Sequence, residues 1–249
     1  MLEALRHPPR WVEWLIKLAL VIGAIWLAIN LIWPTCTFRY RLTVEVETPQ
    51  GLKTGSSVIE AVVAYQWQML PDVGVFRPSV NGEAVFVDLG DGRNLVVTLT
   101  NNGSGRMDAR ERERRSRDAF YLPLDVFEID YLDKFAMCKA VHRAGESRSV
   151  PLGMLPTIVT FEDTNNPKSV RRVEPDDLTT AFGPGYSVSS AKIEQVRGPM
   201  TNVIEARLPW LMAIKDRSGG LDGRRFAGPN DPIASQLGYV SFKSKDGGV

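Results

Sequence analysis

The sequence predicts an N-terminal transmembrane α-helix followed by a mainly-β (α+β) globular domain, built as an antiparallel sheet or sandwich. Three observations carry this reading. Residues 11–33 hold only two charges and are rich in bulky apolar side chains. Residues 38–47 alternate apolar and polar with a period of two. Several later short apolar runs are separated by turn sequences containing Gly, Pro and Asp. The expected organisation is a short tail over 1–10, the helix over 11–33 and a β-rich extramembrane region over 36–249.

The most apolar stretch, Leu18 to Trp33, reads LALVIGAIWLAINLIW. As a helix it spans about 24 Å, somewhat short of a hydrocarbon core of roughly 30 Å. Extension back to Trp11 brings the length to about 34 Å. Lys17 can then reach back toward the headgroups, and Glu13 lies near the interface. Trp11, Trp14 and Trp33 mark the two ends as an aromatic belt does, and Trp26 and Asn30 lie within. Asn30 is the one strongly polar residue there, suited to an interhelical hydrogen bond if the helix joins a larger complex. Pro34 ends the helix. A cleaved signal peptide would need a small-x-small site. The sequence instead runs Ile-Trp-Pro-Thr-Cys, which also fits a lipid-modified Cys36 poorly, so an uncleaved anchor is expected. Arg6, Arg10 and Lys17 on one flank nearly balance Arg39, Arg41 and Lys53 on the other. A short tail inside and a long domain outside is the favoured orientation.

After the anchor, Phe38, Tyr40, Leu42, Val44 and Val46 alternate with Arg39, Arg41, Thr43, Glu45 and Glu47, predicting a strand with one apolar and one polar face. Thr48-Pro49-Gln50-Gly51 reads as a turn. Ser57 to Trp67 reads as a second strand, with Ile59, Ala61, Val63, Tyr65 and Trp67 on one face. A hairpin is expected where Ala84–Leu89 and Leu95–Thr100 flank Gly90-Asp91-Gly92-Arg93-Asn94, because Asp-Gly readily takes the positive φ angles of a tight turn. Thr157–Phe161, Tyr186–Val196 and Gly238–Lys243 are the remaining expected strands.

Helices are fewer. Asp108–Arg112, Glu111–Arg115 and Glu113–Arg117 are i,i+4 pairs within an arginine-rich run that lacks an apolar stripe, so it reads as a solvated helix or loop. Leu132, Phe135 and Ala136 predict a turn or two through Ala140. Pro175 to Phe182 predicts a short helix with Pro175 first, Asp176 and Asp177 in the first turn and Gly183 at the end. Lys215 to Pro232 reads as a long loop.

The chain has 249 residues, 44% of them hydrophobic, enough for a packed core. Three of the 30 basic and two of the 29 acidic residues precede Thr35, which leaves 27 of each and a neutral domain. Neutrality gives no ground for expecting nucleic acid. The expected partners are the lipid bilayer and a protein. Two cysteines, Cys36 and Cys138, permit a bond but do not imply one.

Chemistry-bearing patterns are sparse, so the catalytic residues are unknown at this level and no cofactor or metal is expected. Cys138 and His142 share a helical face, but the only other histidine, His7, is in the tail. Asp88 and Asp91 are near neighbours, with Asp91 better explained as the hairpin turn. Asp88, Asp163, Asp176 and Asp177 are the carboxylates an acid-based hydrolase would use. Gly55-Ser56-Ser57 lacks the pattern of a nucleophile elbow, and its glycine reads as a turn residue. Gly183-Pro184-Gly185 lacks the spacing of a phosphate loop. Asn102-Gly103-Ser104 matches a glycosylation sequon, relevant only in a eukaryotic secretory chain.

The run Tyr40-Arg41-Leu42-Thr43-Val44-Glu45-Val46-Glu47-Thr48-Pro49, with Gly55-Ser56-Ser57-Val58, resembles a stretch of uncharacterised bacterial envelope proteins. Leu155-Pro156-Thr157-Ile158-Val159-Thr160-Phe161 and Arg207-Leu208-Pro209-Trp210-Leu211 are similar to later parts of the same group. The resemblance covers about a tenth of the chain. It implies a bacterial membrane-associated protein and no site residue. The expectation is a non-catalytic binding or assembly module, with an anchored hydrolase or a subunit of a membrane complex as alternatives.

Overall fold

A computed structural model describes residues 10–68, 74–100, 118–140, 145–216, 218–228 and 230–244. It divides into two compact units, one within 1–35 and 64–77, the other within 36–63 and 78–249.

In the first unit, α1 (Arg10–Ile32) runs 23 residues with none buried. Its last turn extends through Trp33, whose N–H donates to the Ile29 carbonyl at 2.9 Å. The Trp33 ring stacks on Trp67, centroids 6.3 Å apart, and Tyr65 packs on Phe76 at 6.1 Å. Gln66 closes the segment by donating its backbone N–H to Val75 and its side-chain amide to Gly74. Trp67 therefore does not continue the buried face of the strand before it, as the sequence suggests. It lies past the strand end and is 66% exposed.

The β-rich part is two antiparallel sheets, as expected. The strands are β1 (Thr35–Thr48), β2 (Gly51–Tyr65), β3 (Phe76–Asn81), β4 (Val85–Gly90), β5 (Arg93–Val97), β6 (Ser147–Ser149), β7 (Ile158–Phe161), β8 (Val170–Val173) and β9 (Ser187–Val196). One sheet has the order β3-β2-β1-β9-β6 and the other β4-β5-β7-β8. The period-two pattern of β1 is realised residue by residue: Phe38, Tyr40, Leu42, Val44 and Val46 are all buried. β1 and β9 pair from Arg39↔Val196 to Glu47↔Ser187 with one bulge at Glu45/Val46. In the β4–β5 hairpin Gly90 pairs with Arg93, so Asp91 (φ 53°) and Gly92 (φ 76°) are the two turn residues, both left-handed as Asp-Gly predicts.

Gly55 is not a turn residue. It sits inside β2, where an added Cβ would lie 2.4 Å from the Phe86 carbonyl oxygen and 2.8 Å from Val87 Cγ2. Only glycine lets the two backbones approach this closely.

The four-stranded sheet is covered on both faces, so β7 is buried at every position. Val159 and Phe161 face a layer made by the chain after residue 203, including α5 (Ile204–Arg207), α6 (Ile233–Gln236) and α7 (Tyr239–Phe242). Phe161, Trp210 and Phe242 form a mutual aromatic cluster with centroids 5.6–5.8 Å apart. Each such pair adds about 0.5–1.5 kcal/mol beyond its burial. Here the expected strand Gly238–Lys243 is instead helix α7 and a single bridge, Lys243 to Glu83. In a helix Tyr239 and Phe242, three apart, enter the core together while Val240 faces out; a strand would place them on opposite faces. The long loop from Lys215 to Pro232 holds no helix or strand among its described residues. It is nevertheless pinned, with Leu221 N–H donating to Leu237 and Gly220 N–H to Arg224.

The remaining helices are α2 (Tyr121–Val126), α3 (Lys134–Ala140) and α4 (Leu178–Phe182). α3 lies where Leu132, Phe135 and Ala136 predict it. α4 begins three residues later than Pro175 suggests. Asp177 is its N-cap, accepting from the Thr180 N–H at 3.2 Å, and Gly183 (φ 93°) ends it.

Candidate functional site

α1 is long and apolar enough to cross a membrane by length and composition, criteria that an N-terminal signal sequence also meets. Trp11, Trp14 and Trp26 are fully displayed on its surface, with 64–66% exposure. Asn30 donates its side-chain amide to the Trp26 carbonyl at 2.8 Å, which engages the amide within the helix itself. Lys17 directly precedes the apolar run, and Trp33 is its last residue, just past the end of α1.

Four residues beyond Ile32, Cys36 is disulfide-bonded to Cys138 of α3, with Cα atoms 5.2 Å apart and a sequence separation of 102. This removes Cys138 as a thiolate or metal ligand, and its candidate companion His142 lies outside the described residues. α3 turns Met137 into the core, while Leu132 and Phe135 are 68% and 65% exposed. Asp133 caps the helix by accepting from the Phe135 and Ala136 N–H groups at 2.9 and 3.1 Å.

Of the four carboxylates weighed for acid-based chemistry, Asp88, Asp163 and Asp177 are engaged in local contacts of their own, and Asp176 directly precedes Asp177. Asp88 accepts from the Gly90 N–H at 3.0 Å and pairs with exposed Arg207 at 3.4 Å. Asp163 organises the turn after β7 through Asn165. Asp177 is held below the usual carboxylate range first by the Thr180 hydroxyl, then by the Thr179 hydroxyl and the Thr180 N–H. Asp176 lines a cleft of about 250 Å³ with Pro156, Thr157, Arg172 and Glu174. Asp91, at the hairpin tip, lies 3.5 Å from the Gln50 amide. Among the described residues no group of three or more His, Cys, Asp or Glu could hold a metal ion.

A second cleft of about 330 Å³ is mainly apolar, lined by Pro78, Val80, Leu99, Phe120, Tyr121 and Val240 with Asp118 and Thr100. Thr100 and Asp118 flank the arginine-rich run, which lies outside the described residues, as does the sequon at Asn102. Near this cleft the Tyr40 hydroxyl donates to the Ala119 carbonyl, and burial first, then the Asp118 charge, push its pKa well above 10.

Glu83 is the residue that sequence reasoning misses. It is 1% exposed, and its carboxylate accepts the Val203 N–H at 2.8 and 2.9 Å and the Ile204 N–H at 3.0 Å. It thereby caps α5 from a remote loop. Lys243, next to it across the bridge, donates to Asn202 and Glu205, each at 2.6 Å. No local pattern marks Asn-Gly-Glu as anything but a surface turn.

No known protein family, no curated protein and no solved structure matches this chain.

Proposed function

We propose that this chain is a membrane-anchored, non-catalytic binding or assembly module of a bacterial envelope. In this reading α1 is a single pass through the inner membrane, and the bulk domain stands in the periplasm. The observation that carries it is α1 itself, 23 residues of mostly apolar side chain with none buried. So much exposed apolar surface is stable in lipid and costly in water. The Cys36–Cys138 disulfide supports placing the domain in an oxidising compartment outside the cytoplasm. The separate local roles of Asp88, Asp163 and Asp177 favour binding over acid-based hydrolysis. The lipid bilayer is one partner, and a protein is the other.

Three measurements on the full chain test this. Alkaline carbonate should leave it in the membrane pellet, and protease added to spheroplasts should remove a C-terminal tag. Release by carbonate would overturn the anchor, and a protected tag the orientation. Cross-linking in cells followed by detergent extraction should then recover a stoichiometric protein partner. A solitary chain with a hydrolytic activity abolished by one substitution would overturn the binding reading.

A further inference from the structure

We infer that the cleft at the open end of the β7–β8 pair is a binding site for a small aliphatic α-amino acid, whose carboxylate pairs with Arg172 and whose ammonium pairs with Glu174 and Asp176. The inference goes beyond the reading of the chain as a binding module. It rests neither on the anchor nor on a protein partner.

The cleft follows from how the two strands part. Ile158 and Val173 are the pair at that end of the ladder. On one side the chain enters β7 through a 3-10 turn at Leu152–Met154, where the Met154 and Leu155 N–H groups donate to the Pro151 and Leu152 carbonyls at 2.9 and 3.1 Å. On the other side it turns soon after β8, the Asp177 N–H donating to the Glu174 carbonyl at 3.1 Å. Pro156 and Pro175, one from each side, fix φ there, so the lining is held before a ligand arrives. Buried Leu155, Ile158 and Val173 make its apolar part.

The charges at this cleft differ from those beside them. Arg171 is paired with Glu162 at 3.1 Å, and Asp177 accepts from the Thr179 and Thr180 hydroxyls. Among the described residues, the side chains of Arg172, Glu174 and Asp176 have no hydrogen bond or ion pair, and all three line the cleft. One cation and two anions, with no third metal-ligating side chain among the described residues, suit a zwitterion better than a metal ion. A guanidinium meets a carboxylate with two parallel N–H groups, and the three donors of an ammonium can be shared by two carboxylates. A volume of about 250 Å³ lies below the roughly 300–1,000 Å³ of sites for drug-sized molecules, which limits the occupant to a small one. The apolar lining selects an aliphatic side chain.

Three probes test this on the full chain in detergent: L-leucine, leucinamide, which lacks the carboxylate, and 4-methylpentanoate, which lacks the ammonium. Isothermal titration calorimetry should show saturable binding of leucine, with each of the other two weaker by about tenfold or more. Arg172→Gln, and Glu174→Gln combined with Asp176→Asn, should each weaken leucine by about tenfold or more. Their thermal midpoints should match the parent, because these side chains hold nothing else in the fold. Leucine that fails to saturate in the millimolar range would overturn the inference. Equal affinities for the three probes would also overturn it, and that comparison needs no variant. So would an unchanged leucine affinity in Arg172→Gln. None of these outcomes bears on α1, so failure here leaves the anchored reading standing.

Discussion

Asn94 and Phe161 are joined by two hydrogen bonds that imitate a strand pairing: the Asn94 side-chain amide donates to the Phe161 carbonyl at 2.8 Å, and the Phe161 N–H donates to the Asn94 Oδ1 at 2.9 Å. The β5–β7 ladder pairs Val96 with Val159 and Val97 with Ile158. One buried carboxamide continues it beyond those pairs. It also leaves Phe161, the centre of the aromatic cluster, with both backbone groups satisfied inside the core.

Asn94→Ala therefore strands a buried N–H and a buried carbonyl. Each such loss costs about 1–3 kcal/mol, so the substitution should destabilise the domain by about 2–4 kcal/mol. Urea unfolding of the detergent-solubilised chain, monitored by tryptophan fluorescence, measures this. An unchanged midpoint would show that water replaces the carboxamide.

The Cys36–Cys138 bond closes a loop of 102 residues. In the chain-entropy treatment a loop of that length stabilises the folded state by about 4–5 kcal/mol. Reductant, or Cys36→Ser with Cys138→Ser, should lower the thermal midpoint substantially, and reductant should have no further effect on the double variant. A thiol count on the unreduced, denatured chain should find no free cysteine.

Two carboxylates give opposite pH responses. Burial raises the Asp125 pKa above its ordinary value of 3.8. Its ionised form is thus less favourable folded than unfolded, and stability from this group grows as pH falls through the raised pKa toward the ordinary one. Asp125→Asn should raise the thermal midpoint at neutral pH, with the gain vanishing in strong acid. Asp222 is lowered, first by the Ser235 hydroxyl, then by the Arg224 N–H and, more weakly, by the Arg224 charge. Its contribution is complete above the ordinary carboxylate value and is lost as pH falls through the lowered one. Asp222→Asn should lower the midpoint at neutral pH and converge with the parent in acid. Thermal scans of both variants across the acid range show whether the two signs are as stated.

Much of the architecture is legible in local patterns. β1 is read from ten alternating residues because side chains alternate faces in any strand. The β4–β5 turn is read from Asp91-Gly92 because few residue pairs take two successive positive φ angles, and α1 is read from length and hydropathy alone. β6 and β8, three and four residues long, carry too little pattern to be seen; their partners β9 and β7 define them. The Gly238–Lys243 segment reads as a strand because Tyr, Val and Phe favour strands. It folds as a helix because only that geometry delivers Tyr239 and Phe242 to one pocket.

Sequence by itself determined the apolar N-terminal helix, the antiparallel β class and the neutral charge of the domain beyond the helix, since these depend on composition and on periods of a few residues. Tertiary structure decided the burial of Glu83 beneath α5 and the bond from Cys36 to Cys138. Each of these depends on which distant segments meet, and contacts across a hundred residues leave no mark on the spacing of neighbours.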